Sequence, residues 1–193
     1  MTIPLNTLPF VHHILSQHLR YGDCAVDGTA GNGNDSLHLA QCVGETGQVW
    51  AFDIQSVAIE RTRQLLEKQQ LLSRVQLILD GHLQIDRYIQ QPIDAAVLNL
   101  GYLPQGDKTR TTQYDSTLTA IIKILNLLKK NGILTVTLYG GHEAGKAECT
   151  AVEQFAAECR QQDFDILRYQ FANRPTTAPY ALIFRKIKEV LLT

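Results

Sequence analysis

Four polar residues, Asp27, Asp53, Asp80 and Asn99, stand where a ligand could be bound and turned over. Each directly follows a short apolar run: Cys24-Ala25-Val26, Val49-Trp50-Ala51-Phe52, Val75-Gln76-Leu77-Ile78-Leu79 and Ala95-Ala96-Val97-Leu98. Runs of this length, rich in Val, Ile and Leu, read as buried strands. The four residues therefore mark four successive strand exits, and open parallel sheets bind their ligands at the carboxyl ends of the strands. Scattered polar residues would not place one at every exit.

The first exit opens a turn that reads Asp27-Gly28-Thr29-Ala30-Gly31-Asn32-Gly33-Asn34-Asp35. Gly28, Gly31 and Gly33 permit a tight turn and close approach of a ligand to the backbone. Asp53 follows Gly33 by 20 positions, a spacing suited to a carboxylate that binds both hydroxyls of a ribose. Nicotinamide, flavin and S-adenosylmethionine proteins share that pattern, and Asp27 separates them. A dinucleotide places a pyrophosphate over this turn, which a carboxylate at the strand exit would repel. S-adenosylmethionine has no phosphate and carries a sulfonium and an ammonium, which a nearby carboxylate favours. Asp35, just inside the following helix, stabilises the helix N-terminus and competes with any phosphate there. Asp80-Gly81-His82 leaves the third strand where an adenine would lie, and Asp80 could accept from its exocyclic amine; a solvated loop aspartate is the competing reading. No Gly-Lys-Ser/Thr follows the turn and no GxSxG occurs, so neither a Walker phosphate loop nor a nucleophile elbow is present.

The fourth exit continues as Asn99-Leu100-Gly101-Tyr102-Leu103-Pro104-Gln105-Gly106-Asp107-Lys108. It resembles the Asn-Pro-Pro-Tyr segment of amino-group methyltransferases, without the two prolines. In that geometry the Asn side chain and the next backbone carbonyl accept hydrogen bonds from the target nitrogen and aim its lone pair at the methyl group, a near-attack arrangement. An aliphatic amine must lose a proton before attack; Asp107, His142 and Tyr102 are the candidates, and the sequence does not choose among them. The fifth exit, Tyr139-Gly140-Gly141-His142-Glu143-Ala144-Gly145-Lys146, has the small residues of a close-packed loop beside a ligand. The polar stretch 105–116 is expected to act as a lid or substrate loop, and the segment 173–179 to lie on the same side of the sheet. Lys108, Arg110, Lys146 and Arg174 could form a modest basic rim for phosphates, against the alternative of scattered solubilising charge. Tyr102, Tyr114 and Tyr139 could stack on a base.

These residues need a scaffold, and the hydrophobic pattern supplies one. Helices are expected over 8–19, 35–42, 56–70, 85–90, 116–130 and 147–161, the fifth stopping at Asn131-Gly132. Three further strands are expected over 133–139, 164–171 and 180–187. The class is α/β, a Rossmann-like, seven-stranded and mostly parallel sheet with helices on both faces. The last two strands, joined without a helix, form an antiparallel pair at one edge.

The chain has 193 residues, 45% of them apolar and 19% charged, as expected for a single globular domain over 1–193. Its formal net charge of −1 lends no global support to nucleic-acid binding. Cys24, Cys42, Cys149 and Cys159 show neither CxxC nor zinc-site spacing, so they read as reduced thiols and no metal is expected. No apolar stretch reaches the ~18 residues of a membrane span, and no signal sequence is evident at residues 1–19. The expected location is cytoplasmic.

Four motifs in one order, 27–35, Phe52-Asp53-Ile54-Gln55, 99–108 and 140–146, resemble those of the MnmM (YtqB-like) family, small bacterial methyltransferases long labelled rRNA methylases. The resemblance covers nearly the whole chain. It implies a class I methyltransferase fold, S-adenosylmethionine as cofactor, and a tRNA anticodon stem-loop as partner. It further implies methylation of wobble 5-aminomethyl-2-thiouridine to 5-methylaminomethyl-2-thiouridine, and a possible homodimer. By motif, Asp27, Asn32, Asn34, Asp53, Gln55 and Asp80 would line the cofactor, while Asn99, Tyr102 and the His142 loop would face the nucleoside. An anticodon base is single-stranded and can be splayed into a pocket. Other readings are an S-adenosylmethionine-dependent methyltransferase of rRNA or of a small amine, and a non-catalytic cofactor-binding module. A nicotinamide-dependent oxidoreductase is opposed by Asp27 and the Asn99 motif.

Overall fold

The structure is a computed structural model that describes residues 6–100, 114–141 and 143–192, with the side chains of 114, 115, 143 and 144 left aside. In chain order the elements are α1 (Thr7–His18), β1 (Cys24–Asp27), α2 (Asn34–Val43), β2 (Gln48–Phe52), α3 (Ser56–Lys68), β3 (Val75–Ile78), α4 (Ile85–Tyr88) and β4 (Ile93–Leu100). There follow α5 (Tyr114–Leu127), β5 (Leu128–Leu138), α6 (Glu143–Glu158), β6 (Phe164–Tyr169) and β7 (Tyr180–Lys186). Among the described residues the strands form one seven-stranded sheet in the order β3-β2-β1-β4-β5-β7-β6. Strands β1 to β5 are mutually parallel, and β7 runs antiparallel to both β5 and β6. This is the Rossmann-like class I arrangement expected from the alternation of elements.

The two faces of the sheet carry separate cores. Val11 and Leu15 of α1, Leu39 of α2 and Leu66 of α3 pack on one face with Ala95 and Val97 of β4. Ile85 of α4, Ile121 and Leu125 of α5 and Val152 of α6 pack on the other with Ala96, Leu98 and Leu100. Successive β4 residues thus alternate between two covered faces, which is why the strand reads as an unbroken apolar run. Asp94 near its start and Asn99 at its emergent end are the two polar residues in it.

The structure corrects two element boundaries. The expected helix over 116–130 ends at Leu127, and the chain passes directly into β5. Asn131 and Gly132, read as a helix stop, instead lie in β5. Ile93 pairs with Leu128 but Ala95 pairs with Ile133, so five steps along β5 oppose two along β4. Asn131, at φ +69°, lets the backbone absorb the excess. What ends α5 is distant in sequence. Lys186 is buried, and its ammonium donates to the carbonyls of Leu125 (3.0 Å), Asn126 (3.2 Å) and Leu128 (2.9 Å). A helix leaves its last carbonyls unpaired and carries partial negative charge there; one cation satisfies both. The second correction is at α6, which begins at Glu143 rather than 147, so Lys146 lies in its first turn.

Lys186→Met keeps the aliphatic stem but orphans these carbonyls. It is expected to destabilise the fold by about 2–4 kcal/mol, read as a lower urea midpoint with an unchanged slope.

Candidate active site

Asp27 closes β1 with no exposure to solvent. One carboxylate oxygen accepts the Thr29 N–H at 3.0 Å and the other the Ser36 hydroxyl at 2.6 Å. The carboxylate therefore ties strand, turn and α2 together. Burial, reinforced by the neighbouring Asp35, pushes the Asp27 carboxyl up to about 7 against these two hydrogen bonds. The turn itself is pressed against the sheet. The Gly28 N–H bonds the carbonyl of Val97 at 3.0 Å, and a Cβ on Gly28 would meet the buried Leu98 side chain at 2.3 Å, so any larger residue requires Leu98 to shift. Gly33 sits at φ +84° as the N-cap of α2, against the Thr62 backbone. Asn32 is exposed and accepts from Arg61 at 3.3 Å; Asn34 is exposed at the first position of α2.

Asp53 stands at the exit of the adjacent strand β2. Its oxygens accept the N–H groups of Gly31 and Gln55, each at 2.9 Å. The Gly31 turn and the start of α3 hold it between them, and lone pairs remain on each oxygen. Asp80, after β3, accepts the Gly81 N–H at 2.7 Å and the Tyr88 phenol at 3.0 Å, which orients it. His82 is buried, with Nδ1 at 3.1 Å from the Gly28 carbonyl, and burial lowers its basicity. It lies under the turn. Two residues passed over in the sequence complete this end: Ile54 and Leu79 flank the two carboxylates and are 51% and 58% exposed. Their branched side chains put apolar surface beside the two strand-end carboxylates. Their signal in the sequence is only that an apolar residue adjoins each aspartate.

Asn99 rises from β4 opposite the turn. Its N–H bonds Thr29 Oγ1 at 2.8 Å, and its amide Nδ2 donates to Asp35 Oδ2. Asp35 also contacts His12 Nε2 at 2.6 Å through its other oxygen. A carboxylate can only accept, so the NH₂ of Asn99 must face Asp35. Its Oδ1 then points elsewhere; it is buried and has no hydrogen-bond partner among the described residues. A buried carbonyl oxygen without a partner is uncommon, and this one keeps its capacity to accept a hydrogen bond. Tyr139, half-buried past β5, has its phenol raised by burial and by Asp35.

The remaining candidates divide. Tyr102, Asp107, Lys108, Arg110 and His142 lie outside the described residues, as does the side chain of Tyr114. Lys146 is exposed on α6. Leu138 pairs with Tyr180 and Tyr169 with Ala181, so the connection between β6 and β7 opens at the same end of the sheet as Asp27 and Asn99. There Arg174 lies 3.7 Å over the Phe171 ring and donates to Asn6 at 2.9 Å. The structure thus brings Asp27, Asp35, Asp53 and Asn99 together and sets Asp80 beside them. The assembly suits a cationic ligand with a vicinal diol and a planar ring, next to an acceptor for an N–H donor.

Comparison with known proteins places the chain in a family. Residues 49–185 match the model of the family described as "Putative rRNA methylase". The chain is 33% identical over 186 residues to an Arabidopsis thaliana chloroplastic tRNA (mnm5s2U34)-methyltransferase, an alignment that covers 91% of this chain and 68% of that protein. A "putative rRNA-methylase" from Clostridium thermocellum superposes with a TM-score of 0.94 at 40% identity, over 97% of this chain and 100% of that one. A "putative methyltransferase" from Streptococcus mutans, solved in complex with SAH, has a TM-score of 0.86 at 39% identity, over 95% and 99%. Matched over most of its length in sequence and in fold, the chain belongs to the rRNA methylase family.

Proposed function

We propose that the chain is an S-adenosylmethionine-dependent N-methyltransferase of tRNA that converts wobble 5-aminomethyl-2-thiouridine to 5-methylaminomethyl-2-thiouridine in the cytoplasm. The observation that carries the reading is the unpartnered Oδ1 of Asn99, held beside a cation-favouring, diol-binding set of carboxylates. The activity of the Arabidopsis relative and the SAH in the Streptococcus mutans structure support it.

The residues present fit the cofactor. Asp27 is a buried carboxylate whose charge is disfavoured in the free protein, so a cation beside it relieves an existing electrostatic cost. Asp53 would bind the ribose hydroxyls, the backbone of Gln55 keeping its carboxylate in place. Ile54 and Leu79 would flank the adenine, with Asp80 near its amine. When bound, the cofactor supplies an electrophilic methyl group. Asn99 would accept an N–H of the target amine through Oδ1 and so hold the nitrogen lone pair in line. Arg174 and Lys146 would meet phosphates of the anticodon stem-loop, while Tyr102, Asp107 and His142 remain the candidates for taking the proton.

Incubation of the protein with tritiated S-adenosylmethionine and tRNA lacking the last wobble methyl, followed by nucleoside mass spectrometry, tests the reading. One methyl gained on 5-aminomethyl-2-thiouridine is the expected product. Cofactor binding without transfer to that nucleoside refutes this substrate and directs the search to rRNA and small amines.

Three variants report on the parts. Asp53→Ala is expected to weaken cofactor binding by roughly 1.5–3 kcal/mol, read by calorimetry. Asn99→Ala should retain cofactor affinity while kcat falls about 100-fold; wild-type turnover refutes its role. Asp27 binds its proton more tightly when folded, so its contribution to stability is present at acid pH and lost as pH rises from the ordinary 3.8 towards about 7. Without cofactor, Asp27→Asn should therefore gain about 2–3 kcal/mol on the wild type between pH 5 and pH 8, measured by urea unfolding at both values.

A further inference from the structure

One contact at the site comes from an element that no strand end accounts for. His12, in the middle of α1, places Nε2 at 2.6 Å from Asp35 Oδ1. Asp35 in turn takes the amide NH₂ of Asn99 on its other oxygen. The chain His12–Asp35–Asn99 thus runs from α1 through α2 to β4 and ends at the unpartnered Oδ1. The imidazole is itself held. It stacks on His38 with centroids 4.1 Å apart and planes 5° from parallel. His38 Nε2 lies 2.8 Å from the carbonyl of His12 and 3.0 Å from Ser16 Oγ.

A terminal amide can rotate to present either its oxygen or its nitrogen, and only a partner decides. Asp35 makes that decision for Asn99, but a carboxylate tethered at one oxygen alone could swing about its own torsions. His12 holds the second oxygen. The same alignment polarises the Asn99 carbonyl, since a charged acceptor on the NH₂ side raises the acceptor strength of the oxygen. We propose that His12 is a positioning residue for amine capture, acting through Asp35 to keep Asn99 Oδ1 turned toward the substrate nitrogen. This rests on the reading of the site as an amine methyltransferase.

The test compares three substitutions in the full chain, using tritiated S-adenosylmethionine and tRNA bearing the aminomethyl nucleoside. His12→Phe keeps the ring stacked on His38 and removes the nitrogen. His12→Gln places an amide donor near the position of Nε2, and His12→Asn stops short of it. Cofactor affinity by calorimetry should stay within about twofold of wild type in all three. For the Phe variant kcat should fall about 10- to 30-fold, and the Gln variant should recover to within about threefold of wild type. In an Asp35→Asn background, His12→Phe should cost little more, because the two act as one unit. A Phe variant with wild-type kcat overturns the proposal, as does Gln performing no better than Phe. If the Phe variant melts early, Gln against Asn decides: Gln active and Asn slow supports it, and equal rates overturn it. A wild-type protein that transfers no methyl to the amine overturns the reading of the site instead, which keeps the two failures apart.

Discussion

The carboxyl of Asp27 is buried at the point where the central strand ends, and the surrounding architecture makes its charge costly, pushing its pKa up to about 7. Two hydrogen bonds, from the Thr29 N–H and the Ser36 hydroxyl, offset part of that cost, and they also join β1 to the turn and to α2. The turn then passes so close to β4 that a Cβ at position 28 would displace the Leu98 side chain. His82 is drawn in beneath it, its Nδ1 donating to the Gly28 carbonyl. The position of α2 follows, and with it Asp35 and the orientation of Asn99. Electrostatic cost in the free protein and complementarity to a cation are two descriptions of one arrangement, as is common where a site is pre-organised.

The sheet was legible from the strand-end pattern because both its faces are covered. Strands in that situation are apolar throughout, and each polar residue stands out as an exit. The spacing from Gly33 to Asp53 is short-range backbone geometry, set by one strand–turn–helix–strand unit, and so it too can be read from order alone. The boundary between α5 and β5 could not. Asn131-Gly132 is a helix-stop signal by local rules, yet it serves a bulge, because the true stop is an ammonium from residue 186. Local propensity yields here to a contact some 60 residues away.

The same limit applies to the site. Asp27, Asp53 and Asn99 stand out as candidates from their own neighbourhoods in the sequence. Ile54 and Leu79 were not, because an exposed apolar residue looks like any other in a sequence. His12 is less visible still. A single histidine on an amphipathic helix has the spacing of a surface or core residue, and only the packing of α1 against α2 sets it opposite Asp35. Helix α1 is anchored at that place from its far end. The Thr7 hydroxyl donates to the Pro179 carbonyl at 2.9 Å, and Phe10 stacks on Tyr169 at 3.6 Å. The first helix and the last hairpin are therefore clamped to each other beside the site.

The strand order carries a consequence for biosynthesis. Among the described residues strand β7 is inserted between β5 and β6 and is the only partner β6 has. Until residues 180–186 leave the ribosome, one edge of β5 presents an unpaired backbone ladder along an apolar strand, and β6 has nowhere to dock. An open edge of this kind is a template for pairing with another nascent chain. Lys186, which also closes the end of α5, is the final residue of that last strand. The closing segment thus completes the sheet and caps a helix in the same event, and a ribosome that stalls shortly before it leaves both defects exposed together.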